Sequence, residues 1–277
     1  MGVPFVGVSR VVRGIDREIS LLAPLGVKVL ITGELGVGKN LVARLLHQRS
    51  QRVGPLVSIN CAAVPDDVPG LESWHDEAAN GTILLNDVDE LSLPMQTRLL
   101  RFLEDRQRHP AGDVRLISAT RYPLLERSAR GTFREDLYYR LNVIHIVIPP
   151  LRERPEDVEP LLAHFLEAFS TARCLRRPVL DESALAALAA YTWPGNVREL
   201  SAVAEQLLVR HGGGPVSRDD LPIEISREAG WPASPLPRTQ ACRSSDSPRF
   251  ERTGPGRPSP LAIVPRHLAD SSRRRPH

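Results

Sequence analysis

Lysine is almost missing from this 277-residue chain: of 36 basic residues only Lys28 and Lys39 are lysine, and the rest are arginine. An excess of one charge is missing too. The 36 basic and 33 acidic residues leave a formal +3, so no global field advertises a nucleic-acid partner. No apolar run comes near the roughly 18 residues that a membrane helix needs. Residues 1–13 lack the basic-then-apolar order of a signal peptide. Val6 stands where an N-myristoylation signal needs Ser or Thr. Cysteine is scarce. Cys61, Cys174 and Cys242 are far apart and odd in number, which excludes a disulfide framework and a metal knuckle and makes a reducing cytoplasm the expected compartment. The histidines never pair at metal-ligand spacing with cysteine or with each other.

What remains is an ordinary globular composition, 42% apolar and 25% charged, long enough for one large domain or two smaller ones. Short apolar runs alternate with amphipathic stretches over residues 1–150. VKVLIT (27–32), LVSIN (56–60), TILL (82–85), VRLISA (114–119) and VIHIVI (143–148) read as strands. They mostly lack polar alternation, as strands covered on both faces do. Helical spacing marks 41–47 and 95–103. This order predicts an α/β fold with a mostly parallel sheet. Pro149-Pro150 ends it, and 151–228 reads as a small helical subdomain with helices at 155–172, 181–191 (capped by Asp181) and 196–210. Residues 229–277 hold nine prolines and nine arginines against three acidic residues. Such a segment buries too little apolar surface to offset its chain entropy, so a disordered basic tail is expected.

The strongest local signal is Gly33-Glu34-Leu35-Gly36-Val37-Gly38-Lys39-Asn40 between a strand and a helix. This is the P-loop pattern. Its glycines let backbone N–H groups of Glu34, Gly36, Val37 and Gly38 turn toward phosphate oxygens, and the helix N-terminus points at the same place. Lys39 would reach the outer phosphates of ATP. Asn40 stands where a hydroxyl would normally bind Mg2+. A second strand then runs into Asn86-Asp87-Val88-Asp89-Glu90. In P-loop ATPases two acidic residues at the first two positions hold the metal and orient the attacking water. Asn86 is neutral. Asp87 keeps the charge but is one methylene shorter than Glu, and a misplacement of about 1 Å costs on the order of 10²-fold in rate. Asp89, by strand alternation, is a candidate to compensate for Asn86.

ITGELGVGKNLVARLLH, PLVSINCAAVP, GTILLNDVDELSLPMQTRLLRFLEDR, GTFREDLYYRLNVIHIVIPPLRERPEDV and YTWPGNVRELSAVAEQLL together resemble the AAA+ domain of bacterial sigma-54-dependent activators, over roughly residues 3–223. The resemblance implies an ATPase that works with Mg2+ as a ring. Arg134 and Arg140 match the arginine fingers that reach a neighbouring subunit's γ-phosphate, although taken alone they read as surface ion-pair partners. Arg198 matches the lid arginine that senses phosphate. Asn60 matches the residue that holds the catalytic carboxylate off. Thr120 and Arg121 match the first sensor, where the family usually has Asn in place of Arg121. Arg121 would either disturb water positioning or pair with phosphate.

The departures bear on function. The family's long insertion with its GAFTGA loop, which contacts sigma-54, is absent: Pro65 reaches Gly81 through 66–80 alone. QRHPAG (107–112) replaces a longer supporting loop. No receiver domain is expected before the ATPase and no helix-turn-helix after it. Asn86 and Asp87 predict ATP binding with weakened hydrolysis. An active ring acting on sigma-54 RNA polymerase stays open as an alternative. So do a slow or inactive ATP-binding partner that co-assembles with related AAA+ chains, and weak binding of DNA phosphates by the tail, whose charge is +6.

Overall fold

In a computed structural model, described over residues 5–65, 71–108 and 113–228, the chain folds as a parallel sheet flanked by helices and followed by a helical lid. Its helices are α1 (Arg10–Leu22), α2 (Lys39–Arg49), α3 (Leu71–Glu77), α4 (Leu93–Arg108), α5 (Leu124–Ala129), α6 (Glu135–Leu141), α7 (Val158–Arg173), α8 (Glu182–Ala190), α9 (Asn196–His211) and α10 (Ile223–Glu228). Its strands are β1 (Val29–Thr32), β2 (Leu56–Asn60), β3 (Thr82–Asn86), β4 (Arg115–Thr120), β5 (Ile144–Val147) and the short β6 (Val179–Leu180) and β7 (Pro215–Val216). The expected tail 229–277, with Cys242 in it, lies outside the described residues, as do 66–70 and 109–112 of the two shortened loops.

The sheet order is β2-β3-β4-β1-β5, every pairing parallel. The continuous apolar runs follow from burial on both faces. Leu30, Ile83 and Leu85 face a core closed by α3, α4 and α6, whereas Val29, Ile31, Leu84 and Ile117 face one closed by α1 and α2. A third core joins α7, α8 and α9 around the fully buried Trp193, whose indole N–H donates to the Leu188 carbonyl at 2.9 Å. Asp181 caps α8 by accepting from the Ala184 N–H at 2.8 Å, which is the capping read from the sequence.

Boundaries shift for local reasons. The helix expected at 41–47 begins at Lys39, because Gly38 (φ 109°) turns directly into it. The helix expected from Pro155 begins at Val158, after a 3₁₀ turn at Pro155–Asp157. Among the described residues no helix is long and apolar enough to cross a membrane.

Candidate nucleotide site

The P-loop, Asn60, Asp87 and Arg121 all sit at or just beyond the carboxyl ends of β1, β2, β3 and β4. That edge is where open α/β sheets bind ligands. The loop is fixed at both ends. Gly33 N–H donates to the Thr120 carbonyl at 3.3 Å, and Gly38 caps α2. Gly36 needs its lack of a side chain twice over: its φ is +80°, and a Cβ there would lie 2.2 Å from the Gly195 carbonyl oxygen. Lys39 is 9% exposed and curls onto its own loop, donating from Nζ to the Gly33 carbonyl at 2.7 Å and the Glu34 carbonyl at 3.0 Å. Burial lowers the pKa of its ammonium, and the Asp87 charge opposes that shift.

The P-loop, Asn60 and Asp87 border one cleft of about 520 Å³, a size typical of small-molecule sites, whereas Thr120 and Arg121 are not among its lining residues. Gly36, Gly38, Lys39 and Asn40 form its floor; Asn60, Asn86 and Asp87 come from the sheet edge; Phe165, Val197 and Arg198 come from the lid. The structure therefore brings together the loop, the strand-end residues and the lid arginine expected from sequence. Arg134 and Arg140 are not among the lining residues. Arg134 forms a two-pronged ion pair with Asp136 (2.7 and 3.0 Å), and Arg140 bonds Glu104 at 3.1 Å. Within one subunit they make the surface ion pairs that the residues alone suggest.

The lid is stitched to the P-loop by contacts the sequence reading did not assign. Asn196, buried with φ +53°, donates from Nδ2 to the Leu35 carbonyl at 3.0 Å and to Glu34 at 3.2 Å, and accepts at Oδ1 from the Leu151 N–H at 2.7 Å. Arg152 grips the Glu34 carboxylate at 2.6 and 2.9 Å and holds its pKa below the ordinary value. Arg154 donates to the Val37 carbonyl at 3.2 Å, and Arg198 N–H to the Gly36 carbonyl at 3.3 Å. The available signal was local. An Asn after Trp-Pro-Gly tolerates positive φ better than most residues, but its partners lie some 160 residues away.

Beyond β3 the carboxylates are arranged unlike a plain acidic strand end. Asp87 takes a left-handed conformation (φ 50°) and so leaves the strand. Its Oδ1 accepts from Arg121 Nε at 3.0 Å and its Oδ2 from Arg121 Nη2 at 3.4 Å. Asn86 Nδ2 donates to the Ser58 hydroxyl at 2.8 Å, and Asn60 Oδ1 accepts from the Ala62 N–H at 3.2 Å. Asp89 does not continue the strand face. It lies buried in a 3₁₀ turn, accepts from the Thr120 hydroxyl at 2.7 Å and pairs with Arg127 at 3.2 Å. The left-handed turn at Asp87 ends the alternation that would have made it a substitute for Asn86.

The donor set also tests the expected Mg2+. Asp87 is the single carboxylate among the lining residues, and the described residues hold no cluster of three metal-ligating side chains. This is no protein cage. It fits a Mg2+ that arrives on phosphate and keeps most of its waters, with Asp87 and the Asn86 amide as outer partners.

Residues 6–151 match the family model of the sigma-54 interaction domain, and residues 152–234 that of the AAA+ ATPase lid domain. The chain is 39% identical over 236 residues to regulatory protein AtoC of Escherichia coli K12, covering 76% of this chain and 51% of AtoC. NtrX from Brucella abortus, solved with ADP, superposes with TM-score 0.75 at 32% identity, covering 86% of this chain and 58% of NtrX. The ATP complex of NtrX gives TM-score 0.73 at 33% identity, covering 80% and 57%. The chain spans about half the length of the first curated relatives it matches.

Proposed function

This chain belongs to the sigma-54 interaction family of AAA+ ATPases, and on that premise we propose that it binds ATP between P-loop and lid, hydrolyses it slowly, and lacks the family's usual contact with sigma-54. The observation that carries this is the convergence of Lys39, Asp87 and Arg198 on one cleft. The NtrX structures, which hold ADP and ATP, support a nucleotide as its occupant.

Loop N–H groups from Gly33 to Asn40 and the start of α2 would cradle the β- and γ-phosphates. Lys39 would exchange its two carbonyl acceptors for phosphate oxygens. Arg198 would read the triphosphate from the lid, and Thr120 would hold the sensor turn. Mg2+, when bound, would neutralise charge between the two outer phosphates, with Asn86 and Asp87 reaching it through water. In hydrolysis a water oxygen bonds to the γ-phosphorus as the bond to the bridging oxygen breaks. ADP leaves, and the water's proton passes by way of the Asp87 carboxylate to solvent. Arg134 and Arg140 would stabilise that charge across a subunit boundary, which requires a ring or partial ring of this chain or of related AAA+ chains. In that assembly their present carboxylate partners would be exchanged for phosphate.

Slow hydrolysis is supported by Asn86 and by the short, already paired Asp87. Loss of sigma-54 contact is supported by the absent GAFTGA sequence. We further propose the division into an α/β part to about 150, a lid to 228 and a basic tail, working in the cytoplasm, with the tail at most a weak phosphate binder. A fluorescent ATP analogue tests the core of this reading. The chain is expected to bind it and Lys39→Ala to lose it; binding indifferent to Lys39 contradicts the assignment. No activation is expected from a sigma-54 promoter, and robust activation by this chain alone contradicts the lost contact.

A further inference from the structure

We propose that Arg121 is the positioning residue that restrains hydrolysis: its guanidinium clamps the Asp87 carboxylate and takes over the holding role that the family resemblance gives to Asn60. The inference rests on the nucleotide reading above and adds what controls that site.

Four observations on the structure carry it. Arg121 meets both oxygens of Asp87, at 3.0 and 3.4 Å, so the carboxylate is oriented as well as neutralised. Neither amide that could compete bonds Asp87 among the described residues: Asn86 Nδ2 donates to the Ser58 hydroxyl, and Asn60, oriented by the Ala62 N–H that its Oδ1 accepts, makes no bond to that carboxylate. Asp87 has little freedom of its own, because its backbone is held in a left-handed turn closed by the Glu90 N–H to Asp87 carbonyl bond at 2.9 Å. Arg121 is presented from a braced turn. The Thr120 hydroxyl donates to buried Asp89 at 2.7 Å, Tyr122 N–H donates to Thr120 Oγ1 at 3.2 Å, and Arg127 lies 4.7 Å over the Tyr122 ring. Asp89 and Arg127 are thus the scaffold that fixes where the clamp stands. An Asn at position 121 would be too short and uncharged to make the same two-pronged contact.

The chemical consequence follows from position. With both oxygens held by the guanidinium, the Asp87 carboxylate is turned toward the β4 end and not left free for water. The pair is partly exposed, with side chains 40% and 23% accessible, so it is modest in strength and can open. Opening it frees Asp87 for the attacking water. A neighbouring subunit or a bound triphosphate that offers Arg121 another anion would do this.

The test uses the full chain and three variants, Arg121→Asn, Arg121→Lys and Arg121→Asn with Asp87→Asn, each measured for binding of an ATP analogue and for steady-state turnover. Removing the clamp is expected to raise kcat about fivefold with KM little changed, the factor that ~1 kcal/mol makes. Arg121→Lys keeps a cation beside Asp87 without the two-pronged contact and is expected to fall between the parent and Arg121→Asn. The double variant is expected to lose the gain, because the freed group is then absent. Binding intact without a gain in kcat overturns the clamp and leaves the nucleotide reading standing. A raised KM with unchanged kcat also overturns it, since Arg121 would then be a phosphate contact. A parent chain that binds no ATP in a Lys39-dependent way overturns the nucleotide reading and the clamp with it.

Discussion

Arg115 is the most buried basic side chain among the described residues, none of which gives it a carboxylate partner, and its removal has a calculable effect. The side chain is 1% exposed. Its guanidinium donates to the Leu22, Ala23 and Val27 carbonyls at 3.1 Å each and to the Leu46 carbonyl at 3.5 Å. Leu22, Ala23 and Leu46 lie at the C-terminal ends of α1 and α2, where helix carbonyls lack internal partners and carry partial negative charge, and Val27 lies in the segment leading into β1. Burial pushes the Arg115 pKa down to about 10, so the group stays charged at neutral pH. In Arg115→Met the aliphatic volume remains and the donors vanish. Three carbonyls held at good distance would each cost about 1–3 kcal/mol if left dry. Relief of the guanidinium's own desolvation and entry of water offset part of that. A net loss of about 3 kcal/mol is expected, or a fall in Tm of roughly 10 °C for a domain of this size. Differential scanning calorimetry reads the shift. A change below about 2 °C would mean that the carbonyls had found other partners and that the Arg115 bonds contribute little stability.

Two further outcomes follow from the loop and lid. Gly36→Ala is expected to abolish binding of an ATP analogue, since its Cβ would lie 2.2 Å from a backbone oxygen at φ +80°; titration showing parent-like affinity contradicts this. Arg152 depresses the pKa of Glu34, so the Glu34–Arg152 pair contributes at neutral pH and is lost as pH falls through that lowered value. The Tm difference between the parent and Glu34→Gln is therefore expected to hold from pH 7 down to the ordinary Glu value of 4.5 and to shrink on further acidification, and a difference independent of pH over that lower range refutes the pair's contribution.

The sheet was legible because both-face burial leaves continuous apolar runs, and the P-loop because its function needs glycines at fixed spacing. The reading missed α1 entirely, although Val12, Ile15, Ile19 and Leu22 have helical spacing and Ser9 caps the helix through the Val12 N–H; that signal was present and local. The Arg121–Asp87 pair was not legible. Its members are separated by 34 residues and meet only because β3 and β4 are neighbours in the sheet. The sequence reading left Arg121 between a water disturber and a phosphate contact, and the structure adds Asp87 as its partner. Asp89 illustrates the converse. Alternation along β3 would have aimed it at the cleft, but the backbone turn at Asp87 diverts it under Thr120.

In the proposed function the site binds ATP but turns it over slowly because its strand-end carboxylates are altered. The most direct measurement is turnover at saturating ATP, per analogue-binding site and across a range of protein concentrations, for the parent and for the variant carrying Asn86→Asp and Asp87→Glu. Measurable binding by the parent, a low rate that rises as subunits associate, and a gain of at least about tenfold in the variant are expected. Equal turnover by the two proteins would contradict that function.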